Sequence, residues 1–244
     1  MYKFGPVSFP TTLVFGDKND RVIETVGITH DGKRFEVGYY NGEGKGKGIV
    51  NISPAVGCHV GCAFCELTKN GRGLTVPEMV GQVDAMLAFA HRVDGYDFKH
   101  QPLKINVAKT GEPTINAHMR AALEEICVRY PGTSFKYSSV MPDVPFLVDR
   151  IRGIAEFAVQ NTGGSTQLQV SLISTDEQYR LKSANGKLSP FQKIREALLV
   201  WRETNPSGRI PNLSLLAGAD TPCDPHAILD VLPPDLVKIR IRPV

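Results

Sequence analysis

The stretch Gly57–Cys65 reads GCHVGCAFC and holds three of the chain's five cysteines, Cys58, Cys62 and Cys65. Their spacing, C-x3-C-x2-C, places three thiols on one short segment. An odd number of cysteines with this crowding suits reduced thiolates that bind a metal better than it suits the disulfide framework of a secreted domain. The segment therefore predicts a metal site.

Two kinds of metal site are compatible with three neighbouring thiolates. A tetrahedral structural zinc site needs a fourth ligand, and because no second CxxC follows, His59 would have to supply it. A 4Fe-4S cluster held by three cysteines keeps one iron without a protein ligand, whereas a purely electron-transferring cluster usually has four. An open iron site favours catalysis, so the second alternative predicts an enzyme.

The pattern around the cysteines indicates an α/β fold. From Ile49 onward, short β-branched segments alternate with amphipathic helical segments, which is typical of βα units and a parallel sheet. The predicted strands are 49–53, 103–108, 134–139, 168–173, 212–216 and 237–241. The first predicted helix begins at Thr75 with a capping box. Four further helices are predicted at about 116–129, 143–158, 189–203 and 225–231. Six strands with these helices predict a partial (β/α)6 TIM-like barrel, with the cysteines at the face where barrel loops build active sites.

Two domains are predicted. Residues 1–48 read as an N-terminal β-hairpin extension, with strands at 13–15, 22–28 and 35–40 and a loop rich in Gly and Lys at 42–48. Residues 49–244 form the barrel. Its sixth strand is followed by no predicted helix, so we expect either that a C-terminal piece is missing or that a partner covers this edge.

The composition of the 244 residues is that of a globular protein, with 42% hydrophobic and 22% charged residues. These fractions exclude a disordered chain, a coiled coil and a collagen. The formal net charge of +3 neither requires nor excludes a nucleic-acid partner. No apolar run approaches the roughly eighteen residues that span a bilayer, and the first residues lack a leader pattern, so we expect a cytoplasmic protein without membrane contact.

The cysteine spacing, together with Phe64 before the last cysteine, resembles the radical S-adenosylmethionine (SAM) superfamily. The resemblance implies a barrel of radical SAM type in which the open iron of the 4Fe-4S cluster binds the amino and carboxylate groups of SAM. It also implies that one electron, from a flavodoxin- or ferredoxin-like donor, cleaves SAM to methionine and a 5′-deoxyadenosyl radical. Phe64 then belongs to the cofactor site.

Other residues of the SAM site follow from the same resemblance. Gly111, Glu112 and Pro113 come after the second predicted strand and resemble the family's Gly-Glu motif, which binds the amino group of SAM. An ordinary helix-entry turn is the alternative for this tripeptide. The hydroxyls that the family places near the SAM carboxylate or ribose correspond to Ser138, Ser139 and Ser171. Strand-end serines that bond the backbone are the alternative for these residues.

Four motifs resemble the adenine-methylating RlmN and Cfr branch of the superfamily and occur in the same order. They are Ile23–Val26, Ser53–Cys58, Gly111–Asn116 and Val170–Leu172. The resemblance implies a transferase in RNA modification, with RNA or a nucleotide as substrate. It also makes Glu24 a candidate catalytic residue near the adenine, whereas an exposed charge on a hairpin is the alternative.

The chain also departs from this branch. Asn51 stands where the branch has the first of its two methyl-transfer cysteines, and the position of the second falls past Val244. Ile173 replaces the histidine of the family's Ser-Leu-His. The reaction that follows radical formation is therefore open, and modification of a peptide or small metabolite is an alternative. A non-catalytic iron-sulfur or zinc protein is the alternative from another functional class.

Two cysteines lie outside the motif. Cys127 falls on a predicted helix with an apolar face, where a buried small thiol is the ordinary explanation. Cys223 lies on the loop after the fifth predicted strand, at the start of the last helix, and is a candidate catalytic thiol. A passive surface or capping role is the alternative for Cys223.

Overall fold

The computed structural model describes residues 1–17, 20–42, 46–67, 69–224 and 226–243. Its strands are β1 (Tyr2–Phe4), β2 (Val7–Phe9), β3 (Thr12–Phe15), β4 (Val22–Thr29), β5 (Arg34–Tyr40), β6 (Gly48–Ile52), β7 (Leu103–Val107), β8 (Ser134–Ser139), β9 (Gln167–Ile173), β10 (Asn212–Ala217) and β11 (Lys238–Pro243). Its helices are α1 (Val76–Asp94), α2 (Met119–Arg129), α3 (Leu147–Thr162), α4 (Glu177–Lys182), α5 (Phe191–Thr204) and α6 (His226–Leu229), with a 3-10 turn at Pro113–Ile115.

The chain folds as two compact units. The first comprises Met1–Cys58 and Asn70–Lys136, and the second comprises His59–Lys69 and Tyr137–Val244. In the first unit the strands are hydrogen-bonded in the order β1-β2-β4-β5-β6-β7-β8, with β3 on β4. In the second unit the order is β8-β9-β10-β11, because β8 passes from one unit to the other at Lys136.

In the first unit, the strands up to β6 pair in antiparallel fashion, and the pairing becomes parallel between β6 and β7. Helix α1 begins where the backbone N–H of Thr75 donates to the Glu78 carboxylate at 2.8 Å. This confirms the predicted cap. The core of the unit includes Phe9, which meets Phe35 and Phe89 edge to face with ring centroids 6.2 and 6.1 Å apart.

In the second unit, β9, β10 and β11 are parallel neighbours. Helices α3 and α5 pack against each other and bury Phe157, Leu198 and Trp201. Parallel strands joined through helices are the βα arrangement that the sequence pattern predicted. In the part of the chain that the structure describes, no helix is both long and apolar enough to cross a membrane.

The predicted strands correspond to β3–β11 with small differences at their ends, whereas β1, β2 and α4 were not predicted. Helix α3 begins at Leu147 rather than at 143, because Pro145 disfavours a helical conformation at Val144. Helix α6 spans His226–Leu229, shorter than predicted, and Pro225 lies outside the described residues, as does part of the predicted loop at 42–48.

Candidate functional site

The segment that leads to Cys58 is fixed by the loop that follows β7. The backbone N–H of Ala55 donates to the Thr110 carbonyl at 3.1 Å. The Asn116 amide donates to the Pro54 carbonyl at 2.7 Å. The Cys58 thiol itself is half-buried. The first cysteine therefore ends a well-anchored segment of the first unit.

The Gly111–Pro113 loop packs directly on that segment. Gly111 has φ 105°, and a Cβ at this position would lie 2.5 Å from the Cβ of Ala55, so only glycine permits the approach. Glu112 is 6% exposed, and its carboxylate accepts from the Thr114 backbone N–H at 3.0 Å, while Pro113 opens the 3-10 turn. The tripeptide is thus a turn against the cysteine segment, and its part in SAM binding stays a prediction.

In the second unit, Cys62 and Cys65 lie on a short loop. Cys62 is 8% exposed and Cys65 is exposed, and the Cys65 backbone N–H donates to the Cys62 carbonyl at 3.1 Å. Phe64 is 55% exposed. None of the five cysteines, all of them described residues, forms a disulfide. Cysteines bind metals as thiolates, and the role of Phe64 stays a prediction.

The three predicted serines differ in what their hydroxyls already bind. The Ser139 Oγ accepts from the Met141 backbone N–H at 2.9 Å. The Ser138 Oγ is buried and has no hydrogen-bond partner among the described residues. Ser171 is half-buried and lies opposite Ser214 in the β9–β10 pairing. A buried hydroxyl without a partner is uncommon, so Ser138 is the one with an evident capacity to bind a ligand.

Strand β9 ends in a strained turn. Ile173 has φ 77°, and the Ser174 backbone N–H donates to the Leu172 carbonyl at 3.0 Å, which closes a γ-turn around Ile173. A β-branched residue rarely adopts this conformation. The turn lies where the resemblance places a histidine in the family, and strained backbone of this kind clusters at functional sites.

Glu24 lies in β4 and is not a free hairpin charge. The Lys109 ammonium donates to its carboxylate at 2.8 and 2.9 Å, and the Tyr40 hydroxyl donates to it at 3.1 Å. Gly38 lies opposite Glu24 on β5 and leaves room for the Glu24 carboxylate. A Cβ at position 38 would lie 2.5 Å from Oε1 of Glu24. Burial alone would lower the pKa of Lys109, but the hydrogen bonds and negative charge of Glu24 outweigh it and hold that pKa above its ordinary value.

The Glu24–Lys109 pair borders a cavity of about 520 Å³ in the first unit. Its walls are largely apolar and include Leu13, Val26 and Ile28, with Arg34 at the rim. This size lies within the range of small-molecule sites. The sequence did not reveal Lys109, although its place two residues before Gly111 gave a signal, since the loop after a barrel strand faces the active site.

At Asn51, where the related branch has a thiol, the structure shows an amide pair. The Asn106 side-chain N–H donates to the Asn51 Oδ1 at 2.8 Å, across the β6–β7 pairing that aligns the two residues. The Asn106 Oδ1 is buried without a partner among the described residues. The site therefore offers an unused acceptor rather than a nucleophile at this position.

The two remaining thiols differ. Burial and the nearby Glu124 carboxylate raise the pKa of Cys127 to about 11, as suits a structural thiol. Cys223 borders a cavity of about 610 Å³ in the second unit, on a loop held to the end of β9 by the bond from Asp224 N–H to the Thr175 hydroxyl at 2.8 Å. The carboxylates of Asp176 and Asp224 line the same cavity, and the catalytic role of Cys223 stays a prediction.

A further cluster was missed by sequence reasoning. His30, Asp31 and Glu78 bring possible metal-ligand atoms within 4.8 Å of one another. However, the Arg72 guanidinium already binds Asp31 at 2.8 Å and Glu78 at 2.7 Å. This one cation pairs with both carboxylates, so the cluster is explained as the charged cap of α1.

No family model matches the chain. It is 27% identical over 190 residues to a probable dual-specificity RNA methyltransferase RlmN of Prochlorococcus marinus, covering 77% of this chain and 47% of the relative. It is 28% identical over 198 residues to a dual-specificity RNA methyltransferase RlmN of Desulfosudis oleivorans, covering 79% of this chain and 50% of the relative. The chain spans about half the length of these curated relatives.

Solved structures show the same fold. A radical SAM methyltransferase from Sphaerobacter thermophilus has a TM-score of 0.72 at 19% identity and matches 97% of this chain and 66% of its own. Because the identity is low, this likeness concerns the fold alone, and it confirms the predicted α/β class with a partial barrel of radical SAM type. In fold and, at low identity, in sequence, the chain is thus similar to radical SAM enzymes of the RlmN and Cfr branch, as its motifs predicted.

Proposed function

We propose that this protein is a radical SAM enzyme that acts on RNA or a nucleotide. The observation that carries the proposal is the C-x3-C-x2-C thiol set after β6, with the Gly111–Pro113 loop packed against the segment that ends at Cys58. The relatives named RlmN dual-specificity RNA methyltransferase support the substrate class.

The donor chemistry fits a 4Fe-4S cluster. Cys58, Cys62 and Cys65 form no disulfide, and soft thiolates are the ligands that iron-sulfur clusters take. Cys58, Cys62 and Cys65 would hold the cluster, which together with bound SAM would supply a 5′-deoxyadenosyl radical when a flavodoxin- or ferredoxin-like protein delivers an electron. The chain's own residues then bind, orient and shield the reactants.

A carboxylate and a hydroxyl of the chain have the chemistry needed to hydrogen-bond SAM. The Glu112 carboxylate is held in place by the Thr114 N–H and would accept from the SAM amino group. The partnerless Ser138 Oγ would bond the SAM carboxylate or ribose. Phe64, which is largely exposed, would cover the adenine of SAM with its ring.

For the substrate, the cavity beside Glu24 is the proposed site. A flat base would lie against the apolar walls at Leu13 and Val26, while the Glu24 carboxylate, oriented by Lys109, accepts from an exocyclic amino group. Because the amide of Asn51 cannot accept and pass on a methyl group as a thiol would, the proposed reaction is radical formation followed by hydrogen abstraction from the substrate.

The test of the cofactor assignment compares two cysteine variants. After anaerobic reconstitution with iron and sulfide, reduction with dithionite and addition of SAM, we expect wild-type protein to form 5′-deoxyadenosine, measured by mass spectrometry. Cys65→Ala should lose cluster absorbance and all product, because an exposed ligand is removed without loss of packing. Cys127→Ala is the matched control and should keep both. Product from Cys65→Ala, or none from a wild-type protein that holds a reduced cluster, contradicts the proposal.

The substrate class is tested with an adenine-containing single-stranded RNA oligonucleotide. We expect it to increase 5′-deoxyadenosine formation, and the increase to fall at least tenfold in Glu24→Gln and to remain in Glu203→Gln, an exposed control on α5. Its affinity should also fall steeply as salt rises, as for any polynucleotide ligand. SAM cleavage that responds to a peptide or a small metabolite but not to RNA would overturn the RNA assignment and retain the radical chemistry.

A further inference from the structure

Arg180 of α4 is a fully buried cation. Its side chain is 0% exposed, and its guanidinium donates to the carbonyl of Ser189 at 2.5 Å and to the carbonyl of Val140 at 2.6 Å. A third, longer contact of 3.5 Å reaches the Met141 carbonyl. The Nε of Arg180 is buried and has no hydrogen-bond partner among the described residues. One donor of this cation is therefore unused.

No carboxylate neutralises this charge at ion-pair distance within the described residues. The nearest acidic side chain on its helix, Glu177, instead accepts from the Phe191 backbone N–H. Burying an unpaired charge is costly, and native proteins usually pair such groups. A buried cation whose direct hydrogen bonds go to carbonyl oxygens can therefore be stabilised further by a negative charge placed nearby.

The cysteine loop of the second unit is attached to the turn that follows Arg180. The Ala63 backbone N–H, next to Cys62, donates to the Ser183 carbonyl at 2.7 Å. The Ser183 hydroxyl in turn donates to the Arg180 carbonyl at 2.7 Å. These bonds fix the loop that carries Cys62 to the end of α4.

The electrostatics agree with this placement. Burial lowers the pKa of Arg180 to about 10, and the negative groups that act against this shift are Glu177 and the Cys62 thiolate. Cys62 is itself 8% exposed. The Cys62 thiolate is thus near enough to act on the charge of Arg180, which lies in a region of low dielectric where such an interaction is strong.

We propose that Arg180 is a buried countercharge for the iron-sulfur cluster that Cys62 helps to hold, and that it makes the cluster easier to reduce. The inference rests on the proposed function. When the cluster accepts one electron from its donor, its net charge becomes more negative by one, and a fixed positive charge nearby stabilises the reduced form more than the oxidised form. Charges and hydrogen bonds near the sulfurs are known to set cluster potentials.

A purely structural role would also use these contacts, since Arg180 links the segment after β8 to the segment before α5. Such a role predicts a loss of stability when the side chain is removed. It predicts no change in the redox equilibrium of a cluster that still assembles. The reduction potential is therefore the measurement that separates the two roles.

The experiment compares reconstituted wild-type protein with Arg180→Gln, Arg180→Lys and Arg202→Gln by redox titration, with the reduced cluster followed by electron paramagnetic resonance. Arg180→Gln keeps donors for the carbonyls but loses the charge, and its reduced-to-oxidised ratio at a fixed potential should fall at least tenfold, equivalent to about 59 mV for one electron. Arg180→Lys keeps the charge, so its reduced-to-oxidised ratio should stay within about threefold of the wild-type ratio. Arg202→Gln removes a partly exposed cation that also binds a carbonyl group, that of Gly208. This control should leave the reduced-to-oxidised ratio unchanged.

A second variant keeps the test valid if Arg180→Gln does not fold. Glu177→Gln can still accept from Phe191 but removes the negative charge near Arg180, so it should raise the reduced-to-oxidised ratio. Equal potentials in wild type, Arg180→Gln and Glu177→Gln would overturn the inference and leave the proposed function intact. Failure of wild-type protein to bind any cluster would instead overturn the proposed function.

Discussion

Lys109 in the first unit is partly buried and Arg180 in the second is fully buried, yet their surroundings move the two pKa values in opposite directions. Burial opposes the charge in each case. For Lys109 the Glu24 carboxylate at 2.8 Å more than compensates, and the pKa rises. For Arg180 no carboxylate among the described residues lies at ion-pair distance, and burial lowers the pKa to about 10. The difference teaches that the first cation has a carboxylate partner at ion-pair distance, whereas the direct partners of the second are backbone carbonyls.

The largest effect expected from this difference is on stability. Arg180→Met leaves the buried carbonyls of Ser189 and Val140 without their donor, and we expect a loss of about 3 kcal/mol in the free energy of unfolding. Lys109→Met breaks a half-exposed pair and should cost about 1 kcal/mol or less. Urea unfolding of both variants before cluster reconstitution measures the two losses. Equal losses would show that the two cations are held in the same way.

An intermediate effect is expected from Gly38→Ala, which disturbs the Glu24–Lys109 pair without changing any charge. The added Cβ would lie 2.5 Å from Oε1 of Glu24, so the carboxylate must move away from Lys109. We expect a loss of about 1–2 kcal/mol, whereas glycine to alanine in a strand is otherwise neutral or favourable.

A double-mutant cycle checks this explanation. If the clash with the carboxylate causes the loss, Gly38→Ala should cost little in a Glu24→Ala background, and the two changes will not be additive. Additive losses would place the strain elsewhere in β5.

The smallest effect on stability is expected at Cys127, a thiol that faces a carboxylate instead of a cation. Its pKa of about 11 leaves about a hundredfold less thiolate near pH 8 than an ordinary thiol with a pKa of 9.0 would have. In protein that has not been reconstituted, Cys127 should therefore react with iodoacetamide much more slowly than the exposed Cys65, as peptide mass spectrometry would show. Cys127→Ala should cost about 1 kcal/mol or less. Comparable alkylation rates would contradict the assigned environment.

Much of the fold could be predicted because βα units leave long, regular signals. The strands β6–β11 and most helices follow from periodicity and caps. The short strands β1 and β2 could not be predicted, since three residues carry little pattern and their place depends on Phe4 and Phe9 packing against Phe89 of α1. Helix α4 has six residues, too few for a helical period to show.

The residues of the candidate site likewise fall into those that the sequence predicted and those that it did not. The cysteines and the Gly-Glu motif were found because their spacing is local. Lys109, Asn106 and Arg180 were not found, because each has a hydrogen-bond partner 40 or more residues away in the sequence. Lys109 and Glu24 are 85 residues apart, and Asn51 and Asn106 are 55 apart. Only the folded strands bring these two pairs together, so no local sequence pattern predicts them.

At the turn around Ile173, the backbone adopts a conformation that the residue itself disfavours. A β-branched side chain at φ 77° opposes the turn and costs on the order of 1–3 kcal/mol, so the neighbouring strand and loop must impose it. Histidine tolerates this conformation better than isoleucine. Protein engineering usually trades stability for a new functional group, but at this position an imidazole can be introduced by Ile173→His while backbone strain is released, which makes the end of β9 a favourable place to alter the chemistry of the barrel.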